Sequence, residues 1–277
     1  MLSHGDRLLT QIGEKSSLSI CLRFHEAAKE QRKSIMQRKC WAAPLGKCSP
    51  KLSREHIISA AFFDGNKITA AGFDWTREKV VEIPLSSAVA KVLCENHNNG
   101  LSDLDTAIKE IGERFKSVIT MKSTSAAAGS IDGSKFERWL LKTTLNVICT
   151  SPKMYQNFWP DEYLAALVFG HIKFDYSTGM GLYAVHPKLY GNFTDAWNFV
   201  NVRPLILAIE GDMGLLGVLI TFWGMPFFLK TAAKTENCRL DVNGFNLIDE
   251  KLYHPGRIRS FLGSQWEELP GLTFSYN

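Results

Sequence analysis

The chain has 277 residues and lacks the marks of several common protein classes. Six cysteines in a chain this long do not make a disulfide scaffold. There is no Gly-rich phosphate loop of the nucleotide-hydrolase kind, no dinucleotide fingerprint and no His-Glu-x-x-His protease pattern. Gly179-Met180-Gly181 alone is too slight to stand for one. No basic stretch followed by an apolar one opens the sequence, because Asp6, Arg7, Glu14 and Lys15 interrupt it. A reducing cytoplasm is the expected setting. Excess charge is also modest, at net +4 with pI near 8.7, which is compatible with nucleic acid without arguing for it. Only one long apolar run occurs, the 17 uncharged residues from Met213 to Leu229. That sits at the lower edge of membrane-spanning length. Gly217, Gly224 and Pro226 divide it, and Glu210 and Asp212 flank it. A buried strand followed by a turn is expected, and no membrane partner. With 45% apolar and 22% charged residues the chain is expected to be globular, with room for two domains or one large one.

What the chain does have is a concentration of metal-binding residue types. Three of the six cysteines and two of the seven histidines fall within the 59 residues from Cys40 to Asn98. Cys94 and His97 are two residues apart in the intervening sense, so both can turn toward one ion where a loop enters a helix. Cys40 and Cys48 are wider apart, but Pro44 and Gly46 allow the loop between them to fold back. Cys40, Cys48, Cys94 and His97 are therefore candidate ligands of a structural zinc (Zn2+). The plain alternative is free cysteines at positions 40 and 48 and a core cysteine at 94.

Between the two pairs stands the dipeptide Glu55–His56. Phosphodiester hydrolysis needs a base that activates water and a metal that stabilises charge on the phosphate. Glu55 is expected to grip a divalent ion through a carboxylate oxygen, and His56 to take the water proton. Asn98, next to the ligand His97, can complete a hard-ion shell with its amide oxygen. Oxygen ligands suit Mg2+ or Mn2+, and the sulfur-rich set suits zinc. Adjacent strand residues face opposite ways, so a bulge or strand end is needed for Glu55 and His56 to reach one substrate. Each residue also has an ordinary reading, as a surface pair or as turn residues.

Residues 17–39 read as a helix with Leu18, Ile20, Cys21, Phe24 and Ala27 on one face. A loop follows to Ser53, then a short extended piece at 56–58. Asp64–Gly65–Asn66 signals a hairpin turn, and 67–72 and 79–83 are candidate strands. Asn99–Gly100 marks a turn, and Ser102 an N-cap for a helix with Leu104, Ile108, Ile111 and Phe115 as its buried stripe. Residues 121–133 are small and polar, a linker or loop. Helices are expected over 136–149 and 160–169, with Pro160 in the first turn of the latter. Strands are expected over 181–185, 203–210, 214–222 and 227–231, with a tight turn at Gly211–Asp212. Cys149 and Cys238 lack neighbouring partners in sequence, and His171 and His186 read as surface or packing residues.

The pattern Cys40-x7-Cys48, Ser53–Arg54–Glu55–His56–Ile57–Ile58 and Leu93–Cys94-x2-His97–Asn98-x2-Leu101–Ser102 resembles the HNH endonuclease family, which has a zinc-bound ββα-metal core. The resemblance covers residues 40–115. It implies His56 as general base, Glu55 and Asn98 as ligands of the catalytic ion, and Cys40, Cys48 and Cys94 on zinc, with His97 where the family usually has a fourth cysteine. Val89 stands where the family often has an asparagine that orients the base, and Leu101 where a basic residue often follows.

The fold expected is α+β. A zinc-stapled HNH-like module with flanking helices (1–120) is followed by a linker (121–133). An α+β region of unassigned role with an antiparallel sheet (134–277) completes the chain. The function expected is metal-dependent cleavage of nucleic acid, double-stranded DNA before RNA, in a setting such as restriction or phage defence. The alternative is a catalytically silent zinc-stabilised scaffold for nucleic acid or a protein partner, which the second half could also bind. The basic run Lys29, Arg32, Lys33, Arg38, Lys39, Lys47, Lys51 and Arg54 reads either as a phosphate-facing patch or as a solvated face. Trp41, Phe62, Phe63, Phe73 and Trp75 can stack on bases or form the small core of the module.

Overall fold

A computed structural model describes residues 40–63, 65–76, 79–119, 130–155, 158–185, 199–209, 212–222, 225–232, 241–242, 245–246, 252–253 and 273–276. The helix expected over 17–39, most of the linker, His186 and Cys238 lie outside them. The fold is a mixed α+β arrangement, built from why its few long elements bury what they bury.

Strand β1 (Glu55–His56) pairs antiparallel with β4 (Val89–Ala90). Between them in sequence come β2 (Lys67–Ala71) and β3 (Val81–Pro84), which pair with each other. Gly65 turns with φ 80° at the entry to β2. The hairpin expected at 64–66 is not formed there, because β2 finds its antiparallel partner in β3, beyond the 3-10 turn Asp74–Thr76. Helix α1 (Glu95–Asn99) follows β4, and α2 (Ser102–Ile119) follows at once. Leu104, Ile108, Ile111 and Phe115 are all buried, as their spacing predicts.

Helix α3 (Gly133–Thr150) is the centre of the molecule. Asp132 caps it by accepting from the Lys135 amide at 3.0 Å. It is buried nearly all round, with Phe136, Trp139, Leu140, Leu145 and Val147 fully enclosed. Helix α4 (Glu162–Phe169) packs beside it. Its cap is Asp161, which accepts from the Leu164 amide at 2.9 Å, so Pro160 lies just before the helix rather than inside its first turn.

The remaining strands β6 (Gly181–Val185), β7 (Phe199–Ile209), β8 (Asp212–Phe222), β9 (Met225–Lys230) and β12 (Leu252–Tyr253) form one sheet with β2 and β3, in the order β12-β6-β9-β8-β7-β2-β3. The apolar run 213–229 is the β8–β9 pair, buried through Leu215, Val218, Ile220, Phe227 and Leu229. Among the described residues no helix is long and apolar enough to cross a membrane. Ile209 pairs with Asp212 at the end of the antiparallel β7–β8 pair, and Gly211 of the expected turn lies outside the described residues. Two short pairs lie apart from this sheet, β10 (Asp241–Val242) with β11 (Phe245–Asn246), and β5 (Ser130–Asp132) with β13 (Thr273–Ser275). The tail of the expected linker is thus strand.

Strand β2 runs parallel to β7, joining the first part of the chain to the second in one sheet. Gly72 ends β2 at φ +82°, where a Cβ would collide with the Val202 carbonyl of β7. The aromatic residues carry the same message. Phe62 stacks on Trp139 of α3 at 4.8 Å and meets Phe222 of β8 edge-on at 4.7 Å. Trp41, Phe62, Phe63 and Phe73 are core residues, while Trp75 is 39% exposed and stacked on Phe73. One apolar core runs from Cys40 to Phe274, so residues 121–133 do not separate two cores.

Candidate metal centre

Two segments zip together to make the centre. Trp41 N–H donates to the Val92 carbonyl, Ser53 N–H to Leu93 and Glu95 N–H to Lys51, at 2.9–3.0 Å. Gly46 (φ 77°) and Lys47 (φ 54°) both turn left-handed, and this folds the loop so that Cys48 returns toward Cys40. The Asn96 side chain donates to the Lys47 carbonyl at 2.8 Å and closes the loop on α1.

This brings Cys40, Cys48, Cys94 and His97 together, with their ligating atoms within 4.8 Å of one another. His97 Nδ1 lies 3.4, 3.6 and 3.2 Å from the sulfurs of Cys40, Cys48 and Cys94. A tetrahedral zinc, with bonds of ~2.3 Å to sulfur and ~2.0 Å to nitrogen, keeps sulfur and nitrogen about 3.5 Å apart. The residues therefore fit a structural zinc. Burial lowers the His97 pKa, against a smaller opposing pull from the Gly46 carbonyl, and so favours the neutral ring that ligates. Burial pushes the Cys40 thiol up to about 12. For Cys94 burial acts upward too, but hydrogen bonds from the His97 and Ser49 amides prevail and lower it. The Cys94 amide also donates to Cys40 Sγ at 3.3 Å. None of the four described cysteines is in a disulfide. Phe169 of α4 lies edge-on to the His97 ring at 5.5 Å and to Trp41 at 6.3 Å.

The residues expected to hold a second, hard ion sit differently from one another. Asn98 donates from Nδ2 to Ser53 Oγ at 3.1 Å, and its Oδ1 is buried with no partner among the described residues. Such an acceptor suits a cation. Glu55 is buried, and its Oε1 lies 2.8 Å from Lys142 Nζ of α3. Lys142 Nζ also donates to both carboxylate oxygens of Asp105 in α2, at 3.1 Å each. His56, next along β1, is half-buried, while Arg54 before Glu55 is exposed. That alternation puts Arg54 and His56 on the side away from Glu55. Glu55 and His56 are not drawn to one point, and the Glu55 carboxylate is matched by an ammonium. In the hard-ion set Asn98 thus brings a buried oxygen without a partner among the described residues, and Glu55 a carboxylate with one oxygen held by Lys142.

Val89, where the resembled pattern often has an asparagine, pairs directly with His56 across β1–β4. Asn66 lies at the entry to β2, its carbonyl accepting from the Leu85 amide at 2.7 Å. The amide that meets the His56 backbone comes from elsewhere. Asn146 of α3 directs Nδ2 at the carbonyls of His56 and Ile57, 3.4 Å each, while its Oδ1 accepts from the Trp41 indole at 2.9 Å. Lys142, Asp105 and Asn146 were not among the residues expected from sequence. Their signal there is faint: Lys142 and Asn146 lie one turn apart in a helix that also carries Lys135, Glu137 and Arg138, and Asp105 reads as a first-turn acid of α2.

Of the early basic run, Lys47, Lys51 and Arg54 are described and exposed, and Lys51 is paired with Glu95 at 2.7 Å. His171 is exposed beside Phe169, as an ordinary surface residue would be. No family model, curated protein or solved structure matches the chain.

Proposed function

We propose that residues 40–115 are an HNH-type nuclease module stapled by zinc, and that the protein is a divalent-metal-dependent phosphodiester hydrolase of nucleic acid, DNA foremost. One observation carries this reading. The strand bearing His56 pairs with β4, and β4 leads into the helix that holds the ligand His97 and, next to it, Asn98 with its open buried oxygen. In this reading zinc supplies folding energy and no chemistry. His56 takes the proton of the attacking water. Arg54, exposed on the same side, offers a phosphate contact. A hard cation, Mg2+ or Mn2+, would lie against Asn98 Oδ1 and stabilise charge on the phosphate when bound. Glu55 would join it through the carboxylate oxygen that does not face Lys142. Cysteines that ligate zinc rather than pair in disulfides suit a reducing compartment such as the cytoplasm. A role in restriction or phage defence, with residues 134–277 recognising a site or a protein partner, extends the same reading.

A second reading is favoured by one specific feature, the Glu55–Lys142 pair. A carboxylate neutralised in this way suits a zinc-stabilised scaffold without catalysis. Plasmid cleavage separates the two. The nuclease reading expects wild type to nick or cut DNA with Mg2+ or Mn2+ and to stop with EDTA. It expects His56→Ala to abolish turnover while zinc and fold are kept. Wild type that binds but cuts neither DNA nor RNA with either ion leaves the scaffold.

A further inference from the structure

We infer that Asn146 of α3 is a positioning residue that sets the His56 strand. This rests on the nuclease reading above and goes beyond it, because it makes the second part of the chain a component of the site. Asn146 has no exposed surface. Its amide has two donor hydrogens and one acceptor oxygen, and all three functions are directed. Nδ2 faces the carbonyls of His56 and Ile57, and Oδ1 holds the indole N–H of Trp41. Trp41 follows the zinc ligand Cys40 in sequence, so the amide ties the metal loop to the strand of the base through a single side chain. Lys142, one turn earlier on the same helix, fixes the other half of that strand by its pair with Glu55. With Glu55 locked inward, His56 faces the opposite side of the chain. The Ile57 amide donates to the carbonyl of Ala88, the residue before β4, at 2.8 Å, so that segment holds the strand's remaining edge.

An amide at this place is otherwise hard to account for. Trp41 needs only an acceptor, which a helix carbonyl or Ser could give. The two carbonyls need only water if the strand is free to move. A single buried Asn satisfying both fixes the distance between the metal loop and the base. Small displacements of a catalytic group can cost ~10²-fold in rate.

The test is a cycle of Asn146→Leu and His56→Ala in the full-length, zinc-loaded protein, with plasmid DNA and Mn2+. The expected result is a kcat ~10–100-fold lower for N146L, with KM within about twofold and one zinc per chain retained. The N146L change should have no further effect on residual cleavage in the H56A background, although it lowers Tm equally in both. Should N146L not fold, Trp41→Phe, which frees the amide from its indole anchor while keeping an aromatic core residue, is expected to lower kcat several-fold with zinc retained. Equal kcat for a folded N146L or W41F and wild type overturns the positioning role alone. So does an N146L effect of the same size with and without His56. Wild type that cuts no nucleic acid removes the nuclease reading and this role together.

Discussion

The two sides of the Glu55–His56 strand are held by opposite kinds of chemistry. On one side a loop and a short helix converge four soft ligands on one point. On the other, α3 meets the strand with Lys142 and Asn146, polar groups that are themselves buried. The first side needs an ion to neutralise its thiolates. The second carries its own counter-charge, because the Lys142 ammonium lies between the carboxylates of Glu55 and Asp105. The difference teaches where failure should start. Removing one metal ligand forfeits a binding energy that is also folding energy. Removing Lys142 strands two carboxylates, one of them buried, while leaving the metal side intact.

The largest effect should come from Cys94→Ala. It should lose the zinc and unfold the 40–99 region, since structural zinc supplies apparent binding energies of about 10–16 kcal/mol in small zinc modules. Elemental analysis and thermal denaturation check this, and retention of a full zinc equivalent would break the comparison on its metal side. Next is Lys142→Met, expected to cost roughly 3–5 kcal/mol by leaving Glu55 unpaired, with zinc retained. The double variant Glu55→Gln/Lys142→Met should recover part of that loss. Chemical denaturation of the two variants decides it, and a double variant no better than the single one would mean the pair is not the cause.

A third expectation concerns Glu137, on the far face of α3. Burial raises its carboxyl from 4.5 to about 7, against the pull of the Tyr176 hydroxyl and Leu182 amide that donate to it at 2.7 and 2.8 Å. A raised folded-state value favours the protonated form in the native protein. Its contribution to stability is therefore complete below about 4.5 and is lost as pH rises through about 7. Glu137→Gln should flatten that part of the stability–pH curve, and an unchanged slope would assign it to other groups. The smallest effect is Asp161→Ala, which removes the cap at the end of α4 opposite Phe169, at about 1 kcal/mol. It should change melting temperature without changing zinc content or cleavage.

The Cys3His cluster was legible in the sequence although Cys40 and His97 are far apart in it. What made it legible was scarcity: cysteine and histidine are uncommon, and their concurrence carries information whatever the loop does between them. Helix stripes were legible for a different reason, since 3.6-residue periodicity in 102–119 and 133–150 is local. The α3 side was not legible. Lys142, Asp105 and Asn146 are common residue types, and their partners lie some 37 to 105 residues away. The joining of β2 to β7 was hidden too, because a parallel pairing leaves no turn signal between its strands. The Gly-rich, polar stretch at 121–133 likewise gave no sign that strands before and after it share one sheet.

The claim on which both readings of function depend is the Cys3His zinc centre, and X-ray absorption at the zinc edge of the purified full-length protein tests it most directly. The account predicts one zinc per chain with three sulfurs at about 2.3 Å and one nitrogen at about 2.0 Å. A protein produced with ample zinc that carries none, or a zinc ringed by oxygen and nitrogen without sulfur, would contradict it.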